Sequence, residues 1–225
     1  VVGRRAPVRE RAGGRNFPAS VLPAGSDDFE KSQARGYLRK LMNRPLRVAV
    51  PNKGALSDGA SQMLTEAGYI GRSDARALTA TDIRNGVEFF FLRPRDIAIY
   101  VGSGDLDLGI TGRDLLHDSE TKATELQPLG FGLSSFRFAG PKNFSAESDL
   151  QGKRVATSYP RLTKSFLESN SISAKIIKLD GAVESAVSLG VADVVADVVS
   201  TGSTLRSQGL HTFGPVLLES EAVLV

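Results

Sequence analysis

The chain of 225 residues is 41% hydrophobic and 24% charged, with no cysteine and two histidines. Without thiols there is no disulfide, Cys-ligated zinc, iron–sulfur centre or cysteine nucleophile; His117 and His211 are too few for a histidine-rich metal site, and no apolar run reaches the roughly 18 residues of a membrane span. The net charge of +3 sits at the front: residues 1–45 hold ten Lys/Arg against four acids, leaving 18 bases and 21 acids, a net of −3, in a body with no duplex-binding footprint.

Residues 1–45 show no sustained apolar period, and Pro7, Gly13, Gly14, Pro18 and Pro23 interrupt every run, which predicts a disordered basic extension. The segment has no apolar stretch of signal-peptide length; it is partly Arg-rich and acid-poor, as an organelle transit peptide is, while its four acids and few serines weigh against that reading. The first methionine is Met42, beside the first predicted strand, so the functional protein is expected to start near it. Strands are predicted at 46–50, 87–92, 106–110, 131–139, 154–157, 175–179, 192–199 and 221–225, and helices at 57–67, 94–101, 160–169 and 182–189. Pro94 and Pro160 open two of the helices, while Gly68 and Gly102 close two. This βαβα order, twice over, predicts an α/β fold of two lobes, each a mostly parallel sheet flanked by helices. The irregular stretch 118–148 marks the passage between lobe 1, residues 46–134, and lobe 2, residues 135–225.

In open parallel sheets, ligands collect beyond the carboxyl ends of the strands, where loops and helix N-termini converge. Four predicted strand ends carry polar loops: Pro51-Asn52-Lys53-Gly54, Thr111-Gly112-Arg113-Asp114, Thr157-Ser158-Tyr159-Pro160 and Ser200-Thr201-Gly202-Ser203-Thr204. In the last, small residues let a phosphate approach the main chain, successive N–H groups point into one concavity, and hydroxyls add donors. The same residues also read as a Ser/Thr-capped turn from strand to helix. Asp197, four residues before the Thr-Gly turn, stands where a carboxylate accepts hydrogen bonds from sugar hydroxyls. The loop is neither a Walker loop nor a Rossmann fingerprint.

The stretches Asp180-Gly-Ala-Val-Glu184, Leu189-Gly-Val-Ala-Asp193 and Asp197-Val-Val-Ser-Thr-Gly-Ser-Thr-Leu205 resemble the phosphoribosyl-diphosphate loop region of ATP phosphoribosyltransferase, the first enzyme of histidine biosynthesis. Arg47-Val-Ala-Val-Pro-Asn-Lys-Gly54, Phe91-Leu-Arg-Pro-Arg-Asp-Ile97, Gly104-Asp-Leu-Asp-Leu-Gly-Ile-Thr-Gly-Arg-Asp114 and Gly152-Lys-Arg-Val-Ala-Thr-Ser-Tyr-Pro160 resemble the same family in the same order. The resemblance implies a two-lobed, periplasmic-binding-protein-like (type II) fold with its active site in the cleft. It implies transfer of the 5-phosphoribosyl group of phosphoribosyl diphosphate to N1 of ATP, releasing pyrophosphate, with Mg²⁺ as cofactor, no metal-ligating set on the protein and no protein nucleophile.

Carried over by position, the resemblance implies that Ser200, Thr201, Gly202, Ser203 and Thr204 hold the 5′-phosphate, with Asp197 and Glu184 on the ribose hydroxyls. Lys53, beside Gly54, meets phosphate charge, and Arg93 a phosphate or the nucleotide; with Asp197 these are the catalytic candidates. Asp114, Leu115 and Asp74 contact the nucleotide, and Ser158 and Tyr159 line the cleft from the second lobe. Each has a structural alternative: a solvated Lys53, Arg93 paired with Asp96 or Glu88, Asp114 capping its helix, Glu184 in a first helical turn, Tyr159 as packing. His117 and His211 are assigned surface or structural roles, and Phe89, Phe90 and Phe91 a place in the core.

The family further implies a cytoplasmic homo-oligomer, a dimer or larger when intact, with ATP and phosphoribosyl diphosphate as partners and neither nucleic acid nor membrane. Residues 156–160 and 180–184 are closer to the long type, which carries a histidine-binding regulatory domain. The polypeptide is expected to return to lobe 1 after a strand such as 221–225, so the chain is read as lacking both the return segment and that domain. Such a fragment is expected to be destabilised, weakly active and insensitive to histidine. Two other readings are a non-catalytic two-lobed module that binds small anions and a regulatory subunit descended from the enzyme.

Overall fold

The computed structural model describes residues 44–225 except Ile70, Ser73 and Ala75; the predicted extension, but for Arg44 and Pro45, and Met42 lie outside the described residues. β1 (Leu46–Pro51) is buried from Val48 onward, which is why its sequence is almost unbroken in apolar residues. Gly54, at φ 78°, turns the chain into α1 (Ala55–Glu66). A hairpin follows, β2 (Thr79–Asp82) antiparallel to β3 (Val87–Leu92). Its turn is held by Asp82, whose carboxylate accepts from the Asn85 N–H and Nδ2 at 3.1 and 2.8 Å. α2 (Pro94–Gly102) lies so close to β4 (Leu108–Gly112) that a Cβ on Gly109 would collide with Ile97. α3 (Arg113–Ser119) and the short β5 (Gln127–Pro128) complete this half.

β6 (Ser134–Gly140) starts a second sheet. After a 3₁₀ turn at Glu147–Leu150 come β7 (Arg154–Thr157), α4 (Pro160–Ser169), β8 (Lys175–Lys178), α5 (Ser185–Ser188), β9 (Val194–Val199), α6 (Ser203–Ser207) and β10 (His211–Ser220). The final strand, β11 (Ala222–Leu224), goes back to the first sheet. Among the described residues the orders are β2-β3-β1-β4-β11-β5 and β10-β6-β9-β7-β8. Val48, Val50, Phe89, Phe91 and Ile110 form one core, and Phe136, Phe138, Leu150, Val155 and Val194 another.

Two expectations are corrected. The sheets are mixed rather than mostly parallel: β3, β1 and β4 run parallel, as do β8, β7 and β9, but β2, β11, β5, β6 and β10 pair antiparallel. The last residues do not belong with the second sheet, and the return to the first sheet is present within the chain. Ala222, Val223 and Leu224 pair with Gly112, Thr111 and Ile110, while Val225 exchanges backbone hydrogen bonds with Gly109 at 2.8 and 2.9 Å. Burial drives this, because Val223 and Val225 pack with Ala49, Ile97 and Leu106 in apolar contact. Charge fixes its start: the Arg113 guanidinium donates to Glu125 at 2.8 Å and to Glu221 at 3.3 Å, and Glu221 also accepts the Gly130 N–H at 2.9 Å.

Candidate active site

β9 runs out of the second sheet into residues 200–202, and Gly202, at φ 67°, makes the left-handed turn that starts α6. The turn is tied within itself, Thr201 Oγ1 lying 3.0 Å from Ser203 Oγ and the Arg206 N–H donating to the Gly202 carbonyl at 3.1 Å. It walls a pocket of about 220 Å³ together with Asp197 and Glu184. Burial pushes the Asp197 carboxyl up to about 6; the negative charges of Glu184 and Asp114 act in the same direction, against a hydrogen bond from the Val198 N–H at 2.8 Å and the cation of Arg95. This pocket therefore joins hydroxyl and amide donors to a carboxylate that burial holds above the ordinary range.

An adjoining pocket of about 330 Å³ lies between the two sheets and shares Val198 and Ser200 with the first. Lys53 and Gly54 reach it from the end of β1, Asp114 and Leu115 from α3, and Tyr159 from the end of β7. Asp114 is buried; its N–H donates to Ser220 Oγ at 3.0 Å, and that hydroxyl donates back to Asp114 Oδ1 at 2.7 Å. The Tyr159 hydroxyl is held far above the ordinary phenol range by burial, then by the charge of Asp114 and a hydrogen bond to it. Tyr159 is therefore a neutral donor whose ring packs edge-on to Phe136 at 5.3 Å, with the Arg95 guanidinium 4.9 Å from its centroid.

Of the residues singled out in the sequence, Glu184, Asp197, Ser200, Thr201, Gly202, Ser203 and Thr204 meet in one pocket and Lys53, Gly54, Asp114, Leu115 and Tyr159 in its neighbour. Ser158 stands apart: its hydroxyl donates to the Leu179 carbonyl at 2.8 Å and accepts the Gly181 N–H at 2.9 Å, and it lines another hollow with Arg95, Asp118 and Lys178. Arg93, exposed at the N-cap of α2, and Asp74, exposed before β2, line none of these pockets. Sequence reasoning missed Arg95 and Asp118. Arg95 stands two residues after Arg93 in the same motif; it pairs with buried Asp118 at 2.9 Å, and Asp118 also accepts the Arg161 and Leu162 N–H groups at 2.9 and 3.1 Å, capping α4 from the opposite sheet.

Among the described residues no group of three or more His, Cys, Asp or Glu is placed to hold a metal ion, and no helix is long and apolar enough to cross a membrane. Two carboxylates in one pocket fit a Mg²⁺ ion held mainly by substrate phosphates and water rather than by a protein cage.

Residues 93–225 match the family model HisG, ATP phosphoribosyltransferase. The chain belongs to the ATP phosphoribosyltransferase family. It is 61% identical over 181 residues to the ATP phosphoribosyltransferase of Pseudarthrobacter chlorophenolicus, a match covering 80% of this chain and 64% of that protein. It is 58% identical over 182 residues to the Corynebacterium diphtheriae protein of the same name, again covering 80% and 64%. The chain thus spans a little under two thirds of the length of these curated relatives. In the ATP phosphoribosyl transferase (HisG:HisZ) complex from Thermotoga maritima, a chain 28% identical superposes with a TM-score of 0.70, covering 80% of this chain and 86% of that one. The GluR0 ligand-binding core from Nostoc punctiforme shares the fold at 17% identity, with a TM-score of 0.54 and 80% and 84% coverage. The family and the type II periplasmic-binding-protein-like fold expected from the sequence are thereby established.

Proposed function

We propose that this chain carries the catalytic site that joins N1 of ATP to the anomeric carbon of phosphoribosyl diphosphate, the first step of histidine biosynthesis. The observation that supports it most is the adjoining pair of pockets, one built from Asp197, Glu184 and the 200–204 turn, the other opening between the sheets. The first suits a phosphorylated sugar: amides and hydroxyls of Thr201, Gly202, Ser203 and Thr204 surround the 5′-phosphate, and Asp197 with Glu184 accept hydrogen bonds from ribose hydroxyls. The second suits a purine nucleotide, with Tyr159 and Asp114 as polar contacts and Leu115 as apolar wall.

The reaction needs no nucleophile from the protein. The adenine N1 lone pair forms the new bond to the anomeric carbon as the bond to the diphosphate oxygen breaks, and the electron pair leaves with pyrophosphate. Positioning and charge stabilisation supply the rate. Lys53, exposed at the rim of the interlobe pocket, faces the leaving diphosphate; Arg93 and Asp74 meet the nucleotide only where it extends beyond the pocket. Mg²⁺, when bound with the substrates, neutralises diphosphate charge. Lobes at 46–134 and 135–220, a homo-oligomeric assembly and a cytoplasmic setting complete the reading.

Pyrophosphate release from phosphoribosyl diphosphate and ATP tests this with the native chain, Asp197→Ala and Thr201→Ala. The expected losses are about 100-fold for the carboxylate and about tenfold for the hydroxyl. Three equal rates would overturn the assignment.

A further inference from the structure

The 200–202 turn has a second side. Together with Ser135 and Arg137 of β6, Arg206 of α6, and His211 and Thr212 of β10, it walls another hollow of about 350 Å³. Its chemistry is the reverse of the neighbouring pocket, since none of its lining residues is acidic while two carry guanidinium groups and one an imidazole. Arg137 stands opposite Asp197 in the β6–β9 ladder, yet Asp197 lines the other pocket and not this one.

Neither arginine has its charge matched among the described residues. Arg137 gives one Nη2 hydrogen bond to the Gly214 carbonyl at 3.0 Å, while its Nε is buried without a hydrogen-bond partner. Arg206 makes no ion pair among the described residues, and its guanidinium lies against the turn, where a Cβ on Gly202 would sit 3.2 Å from Nη1. A buried unpaired donor is costly to keep unless a ligand satisfies it, and planar guanidinium forks match tetrahedral oxyanions better than any other side chain.

We propose that this hollow is a second anion site, separate from the Glu184–Asp197 pocket, for a phosphate-class oligoanion of two or more phosphoryl groups. Arg137 and Arg206 grip it from different walls, and Ser135 and Thr212 add hydroxyl donors. The two sites share the 200–202 turn as a common wall, but the groups that would hold this anion, Arg137, Arg206, Ser135 and Thr212, are ones to which the transferase reading gives no role.

Calorimetric titration of the 225-residue chain with inorganic pyrophosphate tests it, in the native sequence and in a Lys53→Ala background that removes product binding between the sheets. Arg206→Gln and Arg137→Gln are each expected to weaken pyrophosphate binding at least tenfold in both backgrounds, with Arg206→Lys intermediate and ribose 5-phosphate binding changed less than twofold. Arg206 is exposed, so a thermal melt matching the native chain keeps its variant informative even where Arg137→Gln fails to fold. Pyrophosphate affinity unchanged in Arg206→Gln, or lost only with Lys53→Ala, would overturn the proposal; the second result would leave the transferase reading standing.

Discussion

Asp197 meets two opposing demands. The role proposed for it, accepting hydrogen bonds from ribose hydroxyls, calls for the ionised form, and burial beside Glu184 and Asp114 raises its midpoint from the ordinary 3.8 to about 6. The folded state therefore holds this proton more tightly than the unfolded chain does. Its contribution to stability is full below pH 3.8 and is lost as pH rises through about 6, an effect of order 3 kcal/mol. Asp197→Asn should accordingly melt at a similar temperature to the native chain at pH 4 and at a higher one at pH 7. Catalysis should move the other way: native kcat/KM rises through a limb near pH 6, and the variant, about 100-fold slower, lacks that limb. Melting curves and pH–rate profiles of both proteins read the two effects.

Single residues were legible where the chemistry is local. A β-branched strand running into Ser200-Thr201-Gly202-Ser203-Thr204, with Asp197 just before it, is a contiguous pattern, and these side chains do share a pocket. Nothing in the local sequence separates Arg93 from Arg95, the two arginines flanking Pro94. Their difference comes from partners distant in the chain, Asp118 and Tyr159, which only the packed structure brings to Arg95.

At the scale of elements, Gly202 and Asp118 do opposite kinds of work. Gly202 must take a left-handed conformation, φ 67°, with Arg206 and Val199 close to where a Cβ would go. Gly202→Ala should cost about 1 kcal/mol of stability and about tenfold in affinity for phosphoribosyl diphosphate, because the turn amides shift; urea denaturation and calorimetry check the two numbers. Asp118, on α3, caps α4 across the sheets and pairs with Arg95, so Asp118→Ala leaves two helix amides and a cation without their acceptor. The expected loss is about 2–4 kcal/mol in urea, roughly halved in Asp118→Asn, which keeps an acceptor oxygen.

The buried parallel strands were readable as apolar runs, and β1, β3, β7 and β9 fall close to their predicted places. β10 was not, because Gly214 and Pro215 look like a turn in mid-sequence; the strand accommodates them with a register shift between Phe213 and Leu218. β2 was missed because it is short and polar, with Asp82 its one buried residue.

For the whole molecule, the strand after β10 decides how the halves connect. Ser220 ends the second sheet and bonds to Asp114 of α3, and three residues later Val223 is fully buried between β4 and β5. A hydrophobic strand carries no sign of which sheet it will join, so placing 221–225 in the second lobe was a reasonable sequence reading that burial overruled. The outcome is that the two sheets and their helices are tied together at Ser220 and at Asp118, within a fold this family shares with a ligand-binding core.

Crystals of the chain soaked with phosphoribosyl diphosphate show where the pentose binds. Density is expected for the 5′-phosphate against the main-chain amides of 201–204, with ribose hydroxyls within hydrogen-bond distance of Asp197 and the diphosphate directed toward Lys53. Density confined to another surface, or none at saturating ligand, would contradict that placement.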